Sequence, residues 1–323
     1  MRKKFTTLLF VMSVSLLISL VGCKSKNEGI KEEPLVGKVD GEVEISAGDA
    51  GQEIMEGFKN IVEGNNEPFV IVNYIDENIQ KVTEEEAVKM IEGLEEVQER
   101  YLEDYGEQLF VEDYQGELIS LSMDGEFQLF FDKTKIEDIK NANLKELTNK
   151  IIEGKYKLIT MEGAFYPIID YEALKTYNEY LSDEMKSYID IKSIDSNSPT
   201  ILDAELVSFD ELAERLIRTE SHLKEYPDGT RYEEILRLFG TYLKFYLEGS
   251  DNSPIYEYET RKIRDEVLAS YKETASMQDT IISDIVSKYI NIIEENESII
   301  DNNVFSRITE LYNKAIATLE EYK

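Results

Sequence analysis

The chain has 323 residues, of which 35 are Lys or Arg and 67 are Asp or Glu, so it carries a formal net charge of −32. Phosphate backbones attract proteins through clustered Lys and Arg, so this balance argues against nucleic acid as a partner, and anionic lipid head groups repel it as well. With 42% hydrophobic residues, 20 Tyr, 13 Phe and no Trp, the chain can bury a sizeable core in one to three domains.

The N-terminus is basic and then apolar. Met1-Arg2-Lys3-Lys4 precede an uncharged run over 5–20, and Leu20-Val21-Gly22-Cys23 follows with the one cysteine of the chain. A charged start, an apolar run shorter than the roughly 20 residues of a membrane span, and small residues before a cut site read as a secretory signal over 1–22. The order Leu-Val-Gly-Cys resembles the lipobox of bacterial lipoprotein precursors. That resemblance implies a diacylglyceryl group on the Cys23 sulfur and removal of the signal just before it. A plain secretory signal, with Cys23 an ordinary residue behind the cut, is the other reading. A lipid-bearing thioether cannot oxidise to a disulfide, which suits a lone thiol in an oxidising compartment. Each buried methylene contributes about 0.8 kcal/mol, so two or more acyl chains anchor stably. The excess of Lys over Arg, with abundant Ile, Asn and Glu, suggests an AT-rich Gram-positive source. The expected location is therefore the outer face of the plasma membrane, held by lipid.

Residues 23–50 read as the lipidated cysteine and a tether, with Gly29, Pro34, Gly37, Gly41 and Gly48 among mixed charges; a flexible coil of that length spans about 30 Å. A mixed α+β domain is expected over 51–170. It opens with a short helix that places Ile54, Phe58, Ile61 and Val62 on one side. The β-branched and aromatic run 69–75 predicts a strand. Thr83 with Glu86 forms a capping box, and Met90, Leu94, Val97 and Tyr101 recur at helical spacing behind it. Glu92, Glu95, Glu96, Glu99 and Glu103 line the opposite face, read as solvated rather than as a cation site. Residues 118–123 and 126–131 flank Asp124-Gly125, which predicts a hairpin. A helix around 144–152 and a strand around 157–161 complete the domain.

A helical domain is expected over 171–323, with helical runs at 172–190, 203–224, 231–248, 257–273, 277–296 and 302–322 and no strand. Ser208 with Glu211, and Thr230 with Glu233, look like capping boxes. The expected fold class is thus α+β and helix-dominated: a small mixed region followed by an all-α bundle. Tyrosines within the apolar stripes read as packing residues whose hydroxyls reach water. Two loops look alike, Asp195-Ser-Asn-Ser-Pro199 and Ser250-Asp-Asn-Ser-Pro254; duplication and independent helix punctuation both explain them. Neither has calcium-loop spacing.

His222 is the only histidine, and Cys23 is committed to lipid, so zinc sites of His and Cys are out of reach and no cofactor is expected. Ser-His-Asp chemistry would have to use His222, which lies near a helix end where the dipole favours a cation. The chain lacks a phosphate loop, a dinucleotide fingerprint and a Gly-x-Ser-x-Gly elbow. Carboxylate-pair chemistry, as in glycan cleavage, stays open among 67 acids. The most site-like stretch runs from Glu162 through Gly163, Tyr166, Pro167 and Asp170 to Tyr171, at the junction of the two domains, where clefts often form. Glu162, Tyr166, Asp170 and Tyr171, with Asp251 and Asn252 of the second loop, are the candidate ligand-binding residues; a rigid connector packed into both cores is the alternative. This stretch, with Asp251-Asn252-Ser253-Pro254 and Tyr256-Glu257-Tyr258, is similar to lipoproteins of Gram-positive bacteria with no settled function. The resemblance implies an extracytoplasmic helical domain and no particular activity. The expected function is a non-enzymatic binding module at the cell envelope, its partner an envelope protein or cell-wall component. The alternatives are an envelope hydrolase using acidic residues and a solute-binding lipoprotein of a transporter.

Overall fold

Helices dominate the described residues, 47–123 and 128–323, of the computed structural model. Cys23, the signal and most of the tether lie outside the described residues, as does the Asp124-Gly125 turn. In chain order the elements are α1 (Ala47–Glu63), α2 (Pro68–Asn78), α3 (Glu84–Leu109), α4 (Tyr114–Ser122), α5 (Ala142–Glu153), β1 (Tyr156–Met161), β2 (Ala164–Ile169), α6 (Tyr171–Leu174), α7 (Asp183–Asn197), β3 (Ile201–Leu202), β4 (Glu205–Leu206), α8 (Phe209–Glu225), α9 (Tyr232–Glu248), α10 (Asp265–Ala275), α11 (Ile281–Glu295) and α12 (Asn302–Glu320). The helix-dominated α+β class is what forms. Residues Ile45–Lys323 are one compact unit, and the boundary read at 171 falls within it, at the first residue of α6.

The strand expected over 69–75 is helix α2. Pro68 sits in its first turn, where a missing N–H is no loss, and Pro68, Ile71, Val72 and Ile75 are all buried. Burial at three- and four-residue spacing against α1, α3 and α5 outweighs the modest β preference of the branched side chains. The hairpin expected around Asp124 is also corrected. Residues 118–122 belong to α4, anchored by buried Tyr114 and Leu118. Only the downstream half is extended: the Phe131 N–H donates to Leu158 O at 2.9 Å and the Thr160 N–H to Leu129 O at 2.7 Å, along β1.

The hairpin that does form is β1–β2, with Met161 opposite Ala164 and Tyr156 opposite Ile169. Its two-residue turn is Glu162-Gly163, with φ of +50° and +78°, the left-handed pair that matches the twist of the strands. On the outer edge of β2, the Gln115 carboxamide takes the place of a third strand. Its Nε2 donates to Phe165 O at 2.9 Å and its Oε1 accepts from Phe165 N–H at 2.8 Å. Pro167, two residues on, faces the same edge and has no donor to satisfy.

The second half is not free of strands, because β3 and β4 pair as a small hairpin, Ile201 with Leu206 and Leu202 with Glu205. Around it α9 packs on α8 and α12, and α11 on α10, α12 and α8. The hydroxyls of Tyr232, Tyr246, Tyr271 and Tyr289 turn inward rather than to water. The last carbonyls of α9 have no partner within the helix. Gly249 N–H closes Phe245 O at 2.8 Å, Tyr271 donates to Tyr246 O at 2.5 Å, and Tyr289 donates to Leu247 O at 3.0 Å. Tyr232 adds a second bond, at 3.2 Å, to Leu319 O of α12, which the Tyr322 N–H already serves at 3.1 Å. Leaving such a buried carbonyl bare costs about 1–3 kcal/mol. Gly249 turns the chain out of α9 at φ +72°, and a Cβ there would lie 2.5 Å from Ser253 O.

Thr83 and Glu86 make both bonds of the capping box. Ser208 caps α8 by accepting from Glu211 N–H at 3.1 Å, but the Glu211 carboxylate turns to Arg215 at 2.5 Å. The Thr230 box does not form, because α9 begins at Tyr232 behind Arg231.

Candidate functional site

The face of α3 read as solvated carries one carboxylate that is not. Glu96, Glu99 and Glu103 are exposed, whereas Glu95 is 3% exposed because α6, α7 and the start of α9 close over it. Tyr171 donates to Glu95 Oε1 at 2.5 Å, and the Tyr188 hydroxyl and Arg231 Nη2 also bond this carboxylate. Tyr188 lies 3.1 Å from both Glu234 oxygens, Lys192 donates to Glu234 at 2.7 Å, and the Arg231 guanidinium stacks over the Tyr188 ring at 4.6 Å. Two carboxylates thus share one tyrosine hydroxyl and are matched by two cations.

The chemistry available to this cluster is narrow. Burial pushes the Glu234 carboxyl up, but bonding and charge from Lys192, Tyr188 and Arg231 outweigh it and hold it below the ordinary range. Burial, then the Glu95 and Glu234 charges, pushes the Tyr171 hydroxyl far up, so it stays protonated. Burial opposes the charge on Arg231, yet Glu95 and the groups around it raise its pKa. Glu234 therefore stays ionised where a glycosidase acid must hold a proton. The arrangement ties α3 to α6, α7 and α9 and acts as a lock. In the sequence Glu95 stood in the carboxylate row of α3 and Tyr171 among the candidate ligand residues, but no local pattern joins either to Arg231.

A second lock holds the first of the two similar loops. Arg215, 2% exposed, donates from Nη1 to Asp195 Oδ1 at 2.7 Å and Thr200 Oγ1 at 2.6 Å, and from Nη2 to Ser198 O at 2.5 Å. The other loop is a reverse turn, in which Ser250 and Ser253 exchange backbone bonds of 3.0 and 3.2 Å. The sequence likeness thus serves one helix end and one turn.

The candidate ligand residues divide into two groups. Asp170 caps α6, accepting from Ala173 N–H at 3.4 Å, and lies 3.5 Å from Lys157 Nζ; Tyr171 belongs to the lock; Tyr166 packs its ring on Phe110 at 5.3 Å. These three serve the fold. Glu162, Asp251 and Asn252 instead meet around the tip of β3–β4. The Glu162 N–H donates to Asp203 Oδ1 at 3.1 Å, and Asn252 Nδ2 donates to Ala204 O at 3.3 Å. Tyr258 joins them, 67% exposed, its hydroxyl donating to Asp251 O at 2.5 Å. Its ring sits edge-on to Tyr256 at 6.0 Å, and the Arg261 guanidinium covers Tyr256 at 3.6 Å. Glu162, Asp203, Ala204 and Arg261 all have φ between +48° and +68°, a conformation that costs a non-glycine residue about 1–2 kcal/mol. The sequence reading missed Asp203 and Ala204. Their one signal is a polar and a small residue between the apolar pair of β3, Ile201-Leu202, and the mixed pair of β4, Glu205-Leu206.

His222 is not the cation that its place near a helix end favoured. It is 1% exposed, with Nδ1 2.9 Å from Ser187 Oγ, Nε2 buried without a partner, and the ring beside Tyr226 at 5.1 Å. Burial lowers its pKa from 6.5 against the opposing charges of Glu184 and Glu225. With no carboxylate bonded to Nε2, the Ser187–His222 contact lacks the third member of a catalytic triad. Neutral in the fold and protonated below about 6.5 when unfolded, His222 contributes stability that is present above that pH and lost below it. Denaturant titrations of His222→Gln should accordingly show a flatter fall in stability between about pH 6.5 and pH 5 than the parent; an unchanged slope would assign the fall to other groups.

Among the described residues, no group of three or more His, Cys, Asp or Glu side chains is placed to hold a metal ion, and no helix is long and apolar enough to cross a membrane. No protein-family model matches the chain, and no curated protein or solved structure matches it.

Proposed function

We propose that the protein is a membrane-anchored extracytoplasmic lipoprotein that works as a non-enzymatic binding module at the cell envelope. The observation that carries this reading is Leu20-Val21-Gly22-Cys23 behind a basic and apolar N-terminus, the sequence grammar of a lipidated, exported chain. Two further features support it. The buried ionic clusters are bonded within the fold and serve as locks, while the loop surface around Asp203 and Ala204 is exposed, strained and polar, and loops held on a rigid scaffold are where recognition concentrates.

The test is metabolic labelling with an alkyne fatty acid, followed by fractionation. The parent should take up label and sediment with membranes, and Cys23→Ser should lose the label and appear in the medium. An unlabelled parent, or a Cys23→Ser chain that stays with membranes, would overturn the anchor. Sustained turnover of an envelope polymer by the purified protein would overturn the non-enzymatic part.

A further inference from the structure

Three segments far apart in the chain converge at the tip of the β3–β4 hairpin: the Glu162 turn, Asp203-Ala204 and the loop carrying Asp251, Asn252 and Tyr258. Side chain–backbone bonds join them, Glu162 N–H to Asp203 and Asn252 to Ala204 O. Tyr258 is the feature that burial does not explain. A ring 67% exposed gains little from the hydrophobic effect. Yet its hydroxyl is bonded to Asp251 O, its edge rests on Tyr256, and Tyr256 is pinned between Arg261 and Phe305. Arg261 in turn is tied to the α11–α12 connection, donating from Nε to Ile300 O at 3.0 Å, while its own carbonyl accepts from Ile300 N–H at 2.7 Å. An aromatic ring is thus held in place in water. Rigid tyrosines presented this way offer contact area at little cost in conformational entropy, as in binding loops generally.

We infer that this surface binds a neutral oligosaccharide, with a pyranose ring stacked on Tyr258. The weakly positive C–H groups of a sugar face pack on the negative face of an aromatic ring. The residue whose backbone oxygen holds the ring's hydroxyl, Asp251, has an exposed carboxylate with no ion-pair partner among the described residues, and the next residue, Asn252, having given its N–H to Ala204 O, keeps its side-chain oxygen free to accept. Two exposed acceptors on the loop that holds an aromatic platform suit the hydroxyl groups of a sugar. Glu257 pairs with Arg264 at 4.0 Å and Arg261 is stacked on Tyr256, so exposed Asp203, Glu205 and Glu259 outnumber exposed Lys262 nearby and disfavour anionic polymers over uncharged sugar units. The inference rests on the envelope reading above and gives it a ligand class.

Binding is measured by titrating fluorescent chitohexaose, an uncharged N-acetylhexosamine chain, into the purified full-length protein in detergent. Saturable binding is expected for the parent. Tyr258→Ala should weaken it at least about tenfold with an unchanged unfolding temperature, and Tyr258→Phe, which keeps the ring, should stay within about threefold. Absence of saturable binding, or equal binding by Tyr258→Ala, would overturn the inference. So would photo-cross-linking from position 258 in cells that captures a protein and no glycan. Labelling at Cys23 reports the anchor independently: an anchored protein that ignores sugar removes only the ligand class, and a sugar-binding protein without label removes only the anchor.

Discussion

Arg231→Met should destabilise the fold by about 3–5 kcal/mol, the cost of stranding one partner of a buried ion pair. Glu95 is 3% exposed, so its carboxylate cannot turn to water once the guanidinium is gone. Two tyrosine hydroxyls would still bond it, but hydrogen bonds from neutral donors offset only part of a buried charge. Glu95→Gln alone should cost less, about 1–3 kcal/mol, because Arg231 keeps Glu234 at 3.4 Å and Glu92 at 3.8 Å. The double variant should recover much of the Arg231→Met loss, since a neutral carboxamide can be buried among the same hydroxyls. Urea titrations of the three variants read this directly. A loss under about 1 kcal/mol for Arg231→Met, or strictly additive losses, would show that the pair is not coupled and the lock does not exist.

Arg215→Met should cost less, about 2–3 kcal/mol, although Arg215 is the more deeply buried arginine. The difference lies in the partners left behind. The side chains of Asp195 and Glu211 are 38% and 34% exposed, so water can take over much of what the guanidinium supplied, leaving Ser198 O and Thr200 Oγ1 to lose their donor. The larger effect should be local. Arg215 ties the end of α7 to the segment that enters β3, where Val207 N–H donates to Thr200 O at 3.1 Å. Hydrogen exchange of the amides at Thr200 and Val207 should rise more than in α9 or α12, and uniform exchange across the fold would contradict a local role.

What was legible in the sequence was what local spacing controls. The stripe around Phe239 and Leu243 placed α9 within a residue of its observed bounds, and Thr83 with Glu86 marked the start of α3. Errors arose where tertiary burial overrode a local preference. The run over 69–75 is rich in strand-forming side chains, but only a helix buries Ile71, Val72 and Ile75 together against three neighbouring helices. The β1–β2 turn went unread because Glu-Gly is a weaker turn signal than Asp-Gly, and because Pro167 argues against a strand unless its edge is served by something else, here Gln115. The start of α10, expected near 257, lies at Asp265 because Tyr256 and Ile263 pair across the loop. Of the candidate ligand residues, Glu162 was singled out by its place at the expected domain junction and Asp251 and Asn252 by their loop, but that Glu162 and Asn252 both reach the Asp203-Ala204 tip is a property of the fold alone.

The tyrosines that close the end of α9 change what counts as a conservative replacement. Phenylalanine fits the same space at 271 and 289 and would pass for an equivalent in any comparison based on size and hydropathy. In this architecture it would remove the hydroxyl that terminates a helix. A pattern meant to recognise distant relatives of the fold should therefore demand tyrosine at both positions, and weigh them above the lone histidine and the apolar positions around them, which many side chains could fill.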